Sequence, residues 1–143
     1  MKRLYLMAGI ICVLFFSITV IAAQVNKSAT MTWTQDAESL ASMADGGGWN
    51  LYVSDQLGGP YVLAKDSSDA DIFIPYDGSN GTDYTSTKTL KIIGASGETV
   101  TKYFVLTAKA KNGKESTYSN EASLAIDIPM GVPFTFTIKI TTQ

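Results

Sequence analysis

Apolar and polar residues alternate with a period of two along much of this chain, the pattern of strands that bury one face. In residues 29–34 (ATMTWT), Met31 and Trp33 fall on one side and Thr30, Thr32 and Thr34 on the other. Residues 49–54 (WNLYVS) repeat the pattern, with Trp49, Leu51 and Val53 inward and Asn50 and Tyr52 outward. Further strands are predicted over residues 71–76, 85–93, 102–109 and 121–126. Phe104, Leu106 and Ala108 share an inward side, as do Ala122, Leu124 and Ile126. Asn112-Gly113 joins the last two of these strands, because both residues tolerate the positive φ of a tight turn. One short helix is expected after Asp36, its N-cap, with Leu40, Met43 and Ala44 inward and Gly46-Gly47-Gly48 ending it. Gly58-Gly59-Pro60 marks a turn that leads into an edge strand. Beyond Pro129-Met130-Gly131-Val132-Pro133, the alternation returns in residues 134–140 (FTFTIKI), with Phe134, Phe136, Ile138 and Ile140 on one side.

These elements make an all-β domain, two antiparallel sheets packed face to face. The N-terminus differs. Lys2-Arg3 precedes residues 4–21, which carry no charge, and Ala22-Ala23-Gln24 follows. A basic start, an apolar run and small residues are the layout of a signal peptide, here residues 1–23, cleaved after Ala22 or Ala23. The alternative is an uncleaved anchor, since about 18 apolar residues just span a bilayer. Either way the protein is exported, as a secreted, extracellular or periplasmic chain, and meets a membrane only if that segment is kept. Cys12 lies within the apolar run behind Ile10-Ile11, without the small residue that a lipoprotein cleavage site needs before it.

After residue 23 there is no cysteine and no histidine, which excludes disulfides, thiolate nucleophiles, zinc sites built on Cys or His, and a Ser-His-Asp triad. Arg3 is the only arginine; the remainder holds nine lysines against thirteen acids, a net charge of −4. Such a surface lacks the forked donors that clamp phosphates and read guanine, so nucleic acid is not an expected partner.

Two stretches carry a family resemblance. WNLYVS followed by GGPY, within residues 49–63, resembles the third strand and following turn of bacterial and phage fibronectin type III domains. Residues 103–126 (YFVLTAKAKNGKESTYSNEASLAI) are similar to the last two strands of that family. Trp33 resembles the inward tryptophan of its second strand. The resemblance covers residues 29–126. It implies an immunoglobulin-like sandwich over 24–128 and a non-catalytic binding, adhesion or spacer module. Lys102 departs from it, standing where the family keeps a corner tyrosine; Val100 or Tyr103 would cover that role. The ends depart too. Residues 24–28 are too few for a first strand, whereas residues 129–143 add one. This C-terminal strand is expected to pair where the first strand would lie, or else to insert into a neighbouring subunit.

Candidate chemistry is sparse. Asp66, Asp69 and Asp71 lie close in sequence, and residues 77–83 are rich in Asp, Asn and Gly. Counting an EF-hand from Asp77 puts Thr82 and Lys88 where glycine and glutamate belong, so solvated turns are the simpler reading. No pair of acids stands out for glycoside hydrolysis. No enzymatic activity, metal or cofactor is expected. Asn26-Lys27-Ser28 and Asn80-Gly81-Thr82 fit the N-glycosylation pattern, which matters only in a eukaryotic secretory route. Tyr52, Tyr103 and Val105 should share the outer face of one sheet, a docking surface for a protein or glycan partner. The competing reading is that tyrosine simply favours strands. Phe134, Phe136, Ile138 and Ile140 form the candidate assembly strand. Through residues 133–141 the chain could self-associate as a structural subunit of a surface appendage, filament or virion.

Overall fold

A computed structural model describes residues 22–131. The segments read from the sequence as a signal peptide or anchor (1–21 of it) and as a C-terminal assembly strand (134–140) lie outside the described residues. In chain order the elements are β1 (Ala22–Thr34), α1 (Ala37–Met43), β2 (Gly48–Ser54), β3 (Val62–Leu63), β4 (Phe73–Pro75), β5 (Asp83–Ala95), β6 (Thr99–Lys109) and β7 (Ala122–Asp127). They form two antiparallel sheets, a β1–β5 pair and a larger sheet ordered β3–β2–β6–β7. β4 joins the larger sheet along the same edge of β2 as β3, pairing Gly48–Asn50 while β3 pairs Tyr52 and Val53.

The first strand is longer than alternation predicted. It starts at Ala22, opposite Ala95, and runs unbroken to Thr34 opposite Asp83. Residues 24–28 are therefore the first half of β1, not a remnant before it. Threonine spaces the outer positions of both strands, and the Thr30 and Thr87 hydroxyls share a hydrogen bond of 2.8 Å across the pair. β-Branched side chains suit such a pleated, half-exposed surface.

The inner faces meet over Trp49, Leu51, Leu90, Ile92, Ile126 and Ile128, all buried. Trp33 of β1 stands edge-on to Trp49 of β2 at 5.0 Å, and Tyr84 of β5 lies 4.7 Å from Trp49 and 6.0 Å from Trp33. Such offset arrangements suit ring quadrupoles, so the contact fixes orientation as well as burying area. Tyr84 falls outside the strand that alternation predicts from Thr85 onward, yet it joins the core; its hydroxyl donates to the Gly81 carbonyl at 2.8 Å. Lys102, at the expected corner position, instead forms an ion pair with Asp55.

α1 forms as predicted. Asp36 accepts a hydrogen bond from the Ser39 amide at 2.7 Å, satisfying an orphan donor of the first turn, and Leu40 and Met43 are buried. The chain then leaves the helix through Gly47 and Gly48, where backbones approach closely. A Cβ on Gly48 would sit 2.2 Å from the Ile74 carbonyl oxygen and 2.7 Å from the Phe73 ring. Only glycine lets β4 lie against β2 here. Gly48→Ala is expected to destabilise the domain by about 1–3 kcal/mol, through forced backbone displacement. Gly81→Ala, whose added Cβ meets nothing closer than 3.9 Å, should stay within about 0.5 kcal/mol of the parent, both variants being measured by urea denaturation.

Candidate functional site

β2 and β6 pair in a register that sets Tyr52 opposite Val105, Asn50 opposite Thr107 and Ser54 opposite Tyr103. Tyr52, Tyr103 and Val105 therefore do lie on one face of the larger sheet, the side away from β1 and β5. Val105 is not available there: it is 3 % exposed. The cause is the connection between β6 and β7, which folds back along the sheet instead of ending at a short hairpin.

That connection starts with the expected turn, Gly113 at φ +84° and its amide bonded to the Ala110 carbonyl. Lys109 bridges Glu115, yet farther along Phe104 pairs with Ala122, so two extra residues are absorbed in between. Serine side chains bridge the gap. The Ser116 and Ser119 hydroxyls accept the amides of Ala108 and Leu106 at 3.0 and 2.9 Å, standing in for missing ladder carbonyls. This bulge turns Tyr118 onto the outer face, where its ring meets Tyr52 at 5.3 Å and Tyr61 at 5.1 Å, both edge-on. Val105, on the strand between them, is covered.

Two carboxylates hold the tyrosines. Glu115 accepts from the Asn50 amide at 2.8 Å, the Tyr52 hydroxyl at 2.8 Å and the Thr107 hydroxyl at 2.6 Å. The Thr107 bond, with help from Tyr52 and Asn50, holds the Glu115 carboxyl below its ordinary range against an opposing effect of burial. Glu121 accepts from the Tyr61 hydroxyl and from the Gly58 amide at 2.9 Å. That bonded carboxylate is the main reason the Tyr61 phenol is pushed up to about 12. Burial, then Glu115, raises Tyr52. Tyr118 remains 49 % exposed at the crest of this row. Alternation could not expose Tyr118, because the bulge reverses its side. Glu115 was not legible either: counting both ways from Asn112-Gly113 sets it opposite Ala110 on the inward side, whereas it bridges outward Lys109.

A second feature lies between the sheets. β1 pairs only with β5 among the described residues, and its other edge borders a cleft of about 910 Å³. Ala29, Met31 and Trp33 form one wall; Phe104, Leu106 and Ala108 of β6 and Leu124 of β7 form the other. All but Ala29 are inward residues that alternation identified, but Phe104, Leu106 and Leu124 are only half-buried. Within this wall the Trp33 indole N–H is buried and has no acceptor among the described residues.

The acidic loops are engaged locally. Asp66 accepts from the Ser68 and Ala70 amides at 2.8 and 3.0 Å, and Asp77 from the Ser79 amide at 2.9 Å. Serine hydrogen bonds keep both carboxyls below their ordinary range. Asp69 and Asp71 form ion pairs with Lys91 and Lys65. Among the described residues no three His, Cys, Asp or Glu side chains converge to hold a metal ion, and no helix is long and apolar enough to cross a membrane. No family model matches the chain, and no curated protein or solved structure matches it significantly.

Glu115 supplies a pH test. A carboxyl whose folded pKa is depressed contributes stability above its unfolded value, near 4.5, and loses it as the pH falls through the folded value. Glu115→Gln is therefore expected to flatten the decline of stability below about pH 4.5 in acid-titrated urea denaturation. Glu115→Ala, which strands the buried Asn50 and Thr107 groups, should cost about 1–3 kcal/mol at pH 7. An unchanged acid limb in Glu115→Gln would refute the role assigned to this carboxylate.

Proposed function

We propose that the chain is a non-catalytic, exported binding and adhesion module of fibronectin type III architecture. Its recognition surface is the outer face of the larger sheet, and its partner is a protein or glycan. The observation that carries this reading is the tyrosine row itself: Tyr118 stands 49 % exposed between Tyr52 and Tyr61, with its supports held by Glu115 and Glu121. A rigid tyrosine offers large apolar area with a polar tip and loses little freedom on binding. Tyr103 extends the row along β6, and Phe73, 36 % exposed, flanks it beside Lys109. Fibronectin type III architecture is supported by the hairpin after β6, the inward Trp33 and Trp49, and the pairing of a small with a larger antiparallel sheet. Export is supported by the layout of residues 1–23.

A structural subunit of an appendage, filament or virion is the second reading. The open cleft beside β1 favours it, because a neighbour's C-terminal strand could fill that space.

Binding of the labelled full chain to a glycan array and to a bacterial envelope fraction separates the two. Tyr103→Ser and Tyr118→Ser are expected to weaken the strongest signal by ~10-fold or more each, in the range of an interface hot spot, with unchanged melting. Undiminished binding by both variants would exclude this face as the recognition surface.

A further inference from the structure

We infer that Asn80-Gly81, in the connection between β4 and β5, is a site of spontaneous covalent modification, where the Asn80 side-chain amide is lost and an isoaspartyl linkage enters the backbone. The inference is independent of the partner that the tyrosine face recognises. Asn-Gly occurs twice in the chain, at Asn80-Gly81 and at Asn112-Gly113. Both pairs carry the necessary groups, because glycine has no Cβ to shield its amide nitrogen from the preceding side chain. The only co-reactant is water. The Gly81 amide gives its proton to hydroxide, and its nitrogen bonds to the Asn80 side-chain carbonyl carbon, closing a succinimide ring. The bond from that carbon to the side-chain nitrogen breaks, and this nitrogen takes a proton from water and leaves as ammonia. A water then adds to one ring carbonyl. Opening at the side-chain carbonyl gives aspartate; opening at the main-chain carbonyl gives isoaspartate, with the chain now running through the β-carbon.

The structure separates the two pairs. In the turn after β6 the Gly113 amide donates to the Ala110 carbonyl at 2.9 Å, and the Asn112 side-chain oxygen accepts from the Lys114 amide at 3.1 Å. Nucleophile and electrophile are both engaged there, so the turn must open before they meet. Asn80-Gly81 instead lies in an irregular stretch, with residues 77–83 all exposed. Among the described residues, neither the Asn80 side chain nor the Gly81 amide has a hydrogen-bond partner. The fixed points lie on either side of Asn80. The Ser79 carbonyl accepts from the Tyr76 and Tyr84 hydroxyls at 2.6 and 3.2 Å, and the Gly81 carbonyl from Tyr84 at 2.8 Å. These bonds give the modification a consequence. Tyr84 is buried against Trp33 and Trp49, where its hydroxyl needs an acceptor. Isoaspartate inserts a methylene between the Ser79 and Gly81 carbonyls and adds a negative charge between Asp77 and Asp83. The lengthened backbone draws these carbonyls off the tyrosine hydroxyls, so a surface reaction reaches the contact between the sheets.

The test incubates the full chain in detergent micelles in warm, mildly alkaline buffer. Both sites are followed by peptide mapping with mass spectrometry, and electron-transfer fragmentation identifies isoaspartate. Asn80 is expected to convert about 10-fold faster than Asn112, the ratio set by about 1.4 kcal/mol of turn opening. Gly81→Ala, whose added Cβ meets nothing closer than 3.9 Å, should slow conversion of Asn80 several-fold with the fold retained. Chromatography then isolates the isoaspartyl form, whose midpoint in urea is expected to fall below the parent's. Absence of conversion at Asn80, conversion of Asn112 at an equal or higher rate, or an isoaspartyl form with the parent's midpoint would each overturn the inference.

Discussion

The contact between Trp33 and Trp49 is the one on which this structure turns. Trp33 belongs to the two-stranded sheet and Trp49 to the larger one, and their rings meet edge-on at 5.0 Å. Neither sheet could bury its apolar side alone; two strands without a facing layer are marginal in water. Tyr84 and Tyr76 complete the cluster, and each is tied by its hydroxyl to the Ser79 carbonyl. Even α1 is connected to it, because the Trp49 indole donates to Gln35, next to the helix cap Asp36, at 3.1 Å. Aromatic rings are well suited to joining two layers, since each fills much space and its preferred angles select one relative orientation.

The layers joined in this way are unequal, and the inequality shapes both candidate surfaces. Among the described residues a two-stranded sheet faces a five-stranded one, and the inward side chains of β6 and β7 lie along an open cleft. On the opposite face of the same strands the problem is reversed. There the connection after Asn112-Gly113 carries more chain than the ladder needs, and the surplus folds back over the sheet, burying Val105 and raising Tyr118. Hydrogen bonds to Glu115 and Glu121 then convert what could have been mobile tyrosines into a fixed row.

The layering was legible in the residues because it follows from local rules. Period-two alternation located the inward faces of β1, β2 and β6; Asp36 with the glycine run gave α1; Asn112-Gly113 gave the turn. The misses have a common cause in long-range pairing. β1 extends back to Ala22 because β5 continues to Ala95, and nothing within residues 22–28 alone distinguishes a strand from a linker. Tyr84 joins the core because β5 begins two residues before its apolar alternation does. Tyr118 faces outward because two residues are absorbed between Glu115 and Ala122, with Ser116 and Ser119 hydroxyls replacing carbonyls. A count of alternation presumes an unbroken ladder, so it exposes Val105 and passes over Tyr118.

The most direct measurement of the central claim is nuclear Overhauser contact between aromatic rings in isotope-labelled protein. Ring protons of Trp33 should show cross-peaks to Trp49 and to Tyr84, across strands far apart in sequence. If the two indoles give no mutual cross-peak, and each reports only neighbours on its own sheet, the layers do not face each other as described.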